Sequence, residues 1–198
     1  MVIDGIYYAL GLLAGGALTG YLTKPAYSIP FVILAVFCLW FFRDPDREIP
    51  AGPVAVSPAD GVVVAVRPEG EQTRVSIFLN VFDVHVNRSP IAGKITNIRY
   101  QPGKFLVASK PEATTDNEQN FITVEGPQGK IVFSQIAGLI ARRIICYKNV
   151  GETVQAGDRV GYIKFGSRVD MFLGPEWTIA VKQGERVAAG SGIIARRK

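Results

Sequence analysis

The chain has 198 residues, with 22 Lys and Arg against 17 Asp and Glu and a net charge of +5. That length suits one soluble domain of ordinary size plus a short appendage, and a core of about 150 residues folds without disulfide staples. The two cysteines, Cys38 and Cys146, are spaced neither as a metal site nor as a disulfide framework and read as buried thiols. No metal, nucleotide or nucleic-acid motif is present.

Residues 5–23 carry no formal charge, and after Lys24 residues 25–42 are again uncharged, ending Phe37-Cys-Leu-Trp-Phe-Phe42. Each run is near the lower limit for crossing a bilayer, since about 18 residues at roughly 1.5 Å rise give about 27 Å. The pattern predicts two adjacent helices joined by a tight Thr23-Lys24-Pro25 turn, an N-terminal membrane hairpin that either spans or re-enters and in both cases returns the chain to its starting side. A secretory signal needs a basic n-region, whereas the residues before the first apolar run hold Asp4 and no Lys or Arg. Residues 41–47, Phe-Phe-Arg-Asp-Pro-Asp-Arg, place two arginines directly after the second helix, which favours the cytoplasmic face for the rest of the chain. The expected division is 1–47 as anchor and exit segment and 48–198 as a β-rich domain.

From Val54 onward the pattern changes to short alternating or apolar runs: 61–66, 74–79, 94–100, 120–125 and 130–136, punctuated by Gly, Pro and Asn. This predicts a mainly β domain with no long amphipathic helix after Phe42. A mostly polar stretch, 109–120, is long enough to be an active-site loop. Gly151-Glu-Thr-Val-Gln-Ala-Gly157 recurs as Gly184-Glu-Arg-Val-Ala-Ala-Gly190. Such turns resemble those of biotinyl and lipoyl carrier domains and related barrel-sandwich folds, but neither copy offers the Met-Lys of a carrier, so the echo speaks to fold. The densest basic clusters, Arg142-Arg143 and Arg196-Arg197-Lys198, fit an anionic membrane surface, a phosphate-bearing substrate or a solvated face equally well.

Three segments carry chemistry. The first is the heptad Lys164-Phe-Gly-Ser-Arg-Val-Asp170, in which a serine hydroxyl can attack the carbonyl just before it and Gly166 has no side chain to obstruct the turn. The second is Asn80-Val-Phe-Asp-Val-His-Val-Asn-Arg-Ser-Pro90, which holds the chain's one histidine, His85, a proton carrier near neutral pH, with Asp83 either orienting it or solvated. The third is Ser57-Pro-Ala-Asp-Gly61, whose Asp60 reads either as a turn aspartate or as a base.

Together these segments, with the Phe41-Phe-Arg-Asp-Pro element, resemble the short prokaryotic-type phosphatidylserine decarboxylase proenzymes over nearly the whole chain. The resemblance implies that the Gly166–Ser167 bond breaks itself, and that Ser167 becomes a covalent pyruvoyl group, the sole cofactor. It implies two mature chains, 1–166 and 167–198, held together noncovalently, with a higher oligomer possible. The implied reaction is decarboxylation of phosphatidylserine to phosphatidylethanolamine at the cytoplasmic face of the inner membrane. Archaetidylserine or another serine-headed lipid would suit the same chemistry, and a membrane-tethered carrier-like adaptor without chemistry is the competing class. Catalytic roles are implied for Ser167, His85 and Asp60. Longer members carry a second histidine three positions after the first, where this chain has Arg88. Either His85 therefore serves both reactions, or Asp60 serves processing and His85 decarboxylation. Arg88, Asn117, Glu118, Asn120, Arg168 and Lys164 are candidates for contact with substrate or for positioning the Ser167 loop, and no metal ligand is expected.

Overall fold

In a computed structural model, which describes residues 1–108, 112–139, 143–164 and 166–198, the chain divides into two compact units, Met1–Asp46 and Arg47–Lys198. Ser109 of the predicted loop, Arg142 of the basic pair and Phe165 of the heptad lie outside the described residues.

The first unit is a helical hairpin. Helix α1 (Ile3–Leu22) is followed by a 3₁₀ turn (Pro25–Ser28) and α2 (Ile29–Phe41). Val2 N–H donates to Phe42 O at 2.9 Å, so the two ends of the hairpin meet. Helix α1 is long and apolar enough to cross a membrane, and Tyr7, Leu10, Leu18 and Tyr21 are exposed on it. The second helix is shorter than the uncharged run suggested. Pro30 has no N–H to donate back to Ala26 O, and residues 25–28 tighten into the 3₁₀ turn, leaving 13 helical residues, or about 20 Å of rise.

The second unit is mainly β, as the run pattern predicted. Its strands are β1 (Val54–Val56), β2 (Gly61–Glu69), β3 (Gln72–Leu79), β4 (Val86–Arg88), β5 (Gly93–Gln101), β6 (Gln119–Gly126), β7 (Gly129–Ile136), β8 (Ile144–Cys146), β9 (Thr153–Val154), β10 (Arg159–Ile163), β11 (Ser167–Leu173), β12 (Trp177–Ile179), β13 (Arg186–Val187) and β14 (Ile193–Arg197). One helical turn, α3 (Ala113–Asp116), lies in the predicted polar loop. The strands form an eight-stranded sheet, β13-β2-β3-β11-β7-β6-β5-β9, and two three-stranded sheets, β1-β14-β12 and β4-β10-β8. All described pairings between these strands are antiparallel. Residues from all three sheets share one core, among them Val63, Ile77, Phe133 and Met171 from the large sheet, Ala55 and Ile194 from one small sheet, and Val160 and Ile163 from the other. This is the barrel-sandwich-like arrangement that the glycine turns suggested.

The echoed heptapeptides have an architectural role. The first supplies β9 and the second β13, which are the opposite edges of the large sheet. Each ends on a glycine whose N–H donates to a serine carbonyl at 2.8 Å: Gly157 to Ser89 and Gly190 to Ser57. Those serines open a second echo, Ser57-Pro58 before Gly61 and Ser89-Pro90 before Gly93, and each serine Oγ donates to the carbonyl two residues on. Strands β2 and β5 begin at these turns. The two halves of the domain therefore repeat one plan, with β11 and β7 adjacent at the centre.

Cys38 and Cys146 are free thiols, but half-buried where full burial was expected. For Cys146 the reason is its position on β8, an edge strand of a three-stranded sheet.

Candidate active site

Strand β11 lies between β3 and β7, and its residues alternate between the two faces of the sheet. Val169, Met171 and Leu173 point into the shared core, so Ser167, two positions before Val169, faces the same side. Ser167 is fully buried, and its Oγ has no hydrogen-bond partner among the described residues. An unpaired hydroxyl in a closed site is costly unless it has another use. The residue before it, Gly166, has φ +56°, a left-handed conformation that is strained for residues with a side chain.

The Gly166 peptide is held on both sides. Its N–H donates to His85 Nε2 at 3.3 Å. On the other side Gly138, just beyond β7, approaches so closely that a Cβ there would lie 2.0 Å from the Gly166 carbonyl oxygen. An apolar pocket of about 190 Å³ opens beside this peptide, lined by Phe78, Val107, Ala108, Leu139 and Gly166.

His85 is 2 % exposed, and its Nδ1 lies 2.9 Å from the Asp83 carbonyl oxygen. A carbonyl only accepts and a backbone amide only donates, so these two contacts place the ring proton on Nδ1 and the lone pair on Nε2, where it accepts the Gly166 N–H, one residue before the Gly166–Ser167 bond. His85 is fixed by continuation of the β4–β10 ladder, in which Ile163 N–H donates to its carbonyl. The Asp83 carboxylate does not reach the ring directly. It accepts from Asn80 N–H at 2.8 Å and pairs with Arg186, closing the turn that carries His85.

Asp60 stands at the same end of the sheet. The register aligns Val62, Phe78 and Arg168 across β2, β3 and β11, which sets the row before it as Gly61, Leu79 and Ser167. Two strand spacings, roughly 10 Å of backbone, therefore separate Asp60 from Gly166. The Asp60 carboxylate accepts from Arg47 Nη2 at 3.0 and 2.8 Å and from Ala189 N–H at 2.7 Å. Its described contacts thus run to the exit segment and to the second glycine turn, not to Ser167 or His85. The repeated plan makes the residue stand out, because Ala92 occupies the matching place in the other half.

The remaining candidates separate by face. Asn120 lies on the Ser167 face, where its Nδ2 donates to Gln135 Oε1 at 3.0 Å, and Gln135 Nε2 donates to Asn87 Oδ1 at 2.9 Å. This buried chain of amides ends at Asn87 Nδ2, which has no partner among the described residues. Asn117 ties the polar loop to the end of β7, donating to Leu106 O at 2.8 Å and Ala137 O at 2.7 Å and accepting from Leu106 N–H at 2.9 Å. Glu118 is next to Tyr100, whose hydroxyl is pushed to a higher pKa by burial first and by Glu118 second. Arg88 is buried and donates to Gly157 O at 2.9 Å, bracing the first glycine turn. Lys164 lies over the Tyr162 ring at 5.9 Å. Arg168 points to the opposite face from Ser167, is 3 % exposed and is paired with Asp170.

The structure therefore brings Ser167, Gly166 and His85 together, with Asn120 on the same face, and places Asp60, Arg88 and Arg168 in contacts that brace the frame. Gly138, Asn87 and Gln135 were missed by sequence reasoning. A close backbone approach and a buried amide chain join residues far apart in sequence, and no local motif announces them. The Ser-Pro echo was the one sequence signal that could have placed Asn87 near the site, by setting the β4 turn beside β10.

The profile of the family described as "Phosphatidylserine decarboxylase" matches residues 34–195. The chain is 63 % identical over 197 residues to a protein of Solibacter usitatus (strain Ellin6076) named "Phosphatidylserine decarboxylase proenzyme", covering 100 % of this chain and 97 % of that one. It is 50 % identical over 175 residues to a protein of the same name from Magnetococcus marinus (strain ATCC BAA-1437 / JCM 17883 / MC-1), covering 84 % and 80 %. With a match across most of its length and two such relatives, this chain belongs to the phosphatidylserine decarboxylase family.

Proposed function

We propose that the protein is made as a proenzyme, cuts itself between Gly166 and Ser167, and then decarboxylates phosphatidylserine to phosphatidylethanolamine and CO2. The observation that carries this reading is the adjacency of a buried Ser167 hydroxyl with no hydrogen-bond partner among the described residues and a left-handed Gly166 whose N–H is held by His85 Nε2.

In processing, Ser167 Oγ attacks the Gly166 carbonyl. The peptide C–N bond breaks, an ester to Oγ forms, and the amino group of residue 167 is freed. Loss of the Ser167 α-proton then expels the Gly166 carboxylate and leaves dehydroalanine, which water converts to pyruvoyl with release of ammonia. His85 is the base beside this peptide. Gly138 holds the attacked carbonyl in place, and Asp60 fixes the frame through Arg47 and Ala189. Residues 1–166 and 167–198 stay together after the cut because the second piece is woven into the first: β11 lies between β3 and β7, β13 extends β2, and β14 pairs with β1.

The site suits a pyruvoyl group at position 167, since the serine that would supply it faces a closed space and needs no external cofactor pocket. When formed, the group supplies an electron sink for the carbon that loses CO2. The surrounding residues do the rest: the buried sheet face excludes bulk water, Asn87 offers a free amide N–H to the headgroup, and His85 returns a proton to that carbon. The N-terminal hairpin is the membrane anchor, supported by the length and apolarity of α1. Arg43 and Arg47 after it favour the cytoplasmic face of the inner membrane.

The test is conversion of phosphatidylserine in vesicles by the purified full chain. Release of CO2 with formation of phosphatidylethanolamine is expected, and Ser167→Ala should abolish both. Equal turnover by that variant would overturn the assignment.

A further inference from the structure

We propose that Arg168 is a positioning residue that clamps the new chain end at position 167 once the bond before it has broken. The inference rests on the reading that the chain is cut between Gly166 and Ser167. Before the cut, residue 167 is held covalently from both sides. Afterwards it is the first residue of a chain, and strand ends fray unless they are tied down. The reacting group at 167 then keeps a single covalent link, to Arg168.

The side chain of Arg168 supplies the tie from the face of the sheet opposite to Ser167. Its Nε donates to Asp170 Oδ1 at 2.6 Å and its Nη2 to Asp170 Oδ2 at 2.8 Å, a two-point pairing in a site where Asp170 is fully buried. Nη2 also approaches Ser76 Oγ at 2.9 Å on the neighbouring β3 and Thr114 Oγ1 at 2.8 Å on α3. Arg74 completes the cluster from β3, donating to Thr114 Oγ1 at 2.8 Å and Asp170 Oδ2 at 3.2 Å. One guanidinium therefore links β11 to β3 and to the loop whose Asn117 holds Ala137 beside Ser167. A planar, forked cation suits this role better than an ammonium, since it satisfies a carboxylate at two points while reaching two hydroxyls.

The experiment compares the parent protein with Arg168→Met, Arg168→Lys and Thr114→Val, each full length and purified after processing. Three readouts are taken: the fraction processed by intact mass, kcat and KM on phosphatidylserine micelles, and the rate at which phenylhydrazine captures the carbonyl at 167. A displacement of about 1 Å at a reacting centre costs on the order of 10²-fold, and partial loosening should cost about tenfold. Processed Arg168→Met should lose about tenfold or more in kcat with KM within about twofold of the parent, and phenylhydrazine should react faster. Arg168→Lys should recover part of the loss, and Thr114→Val should show the same split more weakly. Parent-like kcat and carbonyl reactivity in processed Arg168→Met would overturn the clamp. Should that variant not accumulate, parent-like values in Thr114→Val would do so. A parent protein with no fragment starting at 167 would remove the underlying reading itself, and the mass measurement shows this separately.

Discussion

Replacing Gly138 by alanine tests how the scissile peptide is held. The added Cβ would lie 2.0 Å from the Gly166 oxygen and 3.1 Å from its carbon. An acceptable contact needs at least about 3 Å, so the carbonyl and the new methyl must separate by about 1 Å. Ala108 Cβ, 3.3 Å from the same point, closes another direction of escape. Gly138 has no left-handed φ, so the substitution acts through this contact and not through backbone strain. A shift of about 1 Å in the attacked carbonyl should slow self-cleavage on the order of 10²-fold, equivalent to about 2.7 kcal/mol in the barrier. The assay is a time course of freshly synthesised proenzyme, following loss of the full chain and appearance of two fragments, with a melting curve to establish that the variant is folded. Cleavage of folded Gly138→Ala at the parent rate would refute the claim that this approach positions the carbonyl.

Other expectations rest on single contacts. Ser167→Ala removes a buried hydroxyl with no partner, so its Tm should equal or slightly exceed that of the uncleaved parent while cleavage is lost; a Tm several degrees lower would show that the hydroxyl is bonded. His85→Asn should slow both processing and CO2 release by roughly 10²- to 10³-fold, and parent-like values for both would exclude it as the proton carrier. Asp60→Ala leaves the Arg47 guanidinium half-buried without its carboxylate and should cost about 2–3 kcal/mol in urea unfolding. Most of that loss should be absent when Arg47→Met is already in place; simple additivity would deny the coupling. The Asp116 carboxyl is held below its usual pKa by hydrogen bonds from Lys104 first and Thr115 second. A depressed folded pKa gives stability that is present above the unfolded value, near 4, and is lost as pH falls through the folded value. Lys104→Met should move the Asp116 titration, followed by NMR, upward; an unmoved titration would show that Lys104 does not stabilise the carboxylate.

Much of the fold was legible because it is written in local patterns. The alternating runs at 61–66, 74–79, 94–100, 120–125 and 130–136 all lie within long strands of the large sheet. Among the short strands, β8 showed in its Ile-Ile-Cys-Tyr pattern, whereas β9, β12 and β13 were not legible, because two or three residues carry no periodicity and their pairing is fixed by tertiary contacts. The repeated Gly-Glu-x-Val turn showed its architectural nature early, and the structure adds where it acts, at both edges of one sheet. In the site, the Gly166–Ser167 pair and His85 stood out through the motifs that carry the family resemblance, since neither a Gly-Ser dipeptide nor a lone histidine is telling by itself. The partners of Asp60 and Arg168 did not. Arg47 is 13 residues from Asp60 along the chain and Ala189 is 129 away, and only folding joins them. The stretch after Ser167 looked like a charged flank, yet strand alternation sends Arg168 to the opposite face, where Asp170 is waiting. The second helix is shorter than its apolar run because hydropathy reports where a segment can be buried and not where Pro30 removes an α-helical N–H.

The most direct measurement is the intact mass of protein purified from cells. Two fragments are expected, one ending at Gly166 and one beginning at position 167, the latter lighter than its serine form by about 17 Da and without a reactive amine. A single uncleaved chain in a preparation that still decarboxylates phosphatidylserine would contradict this expectation.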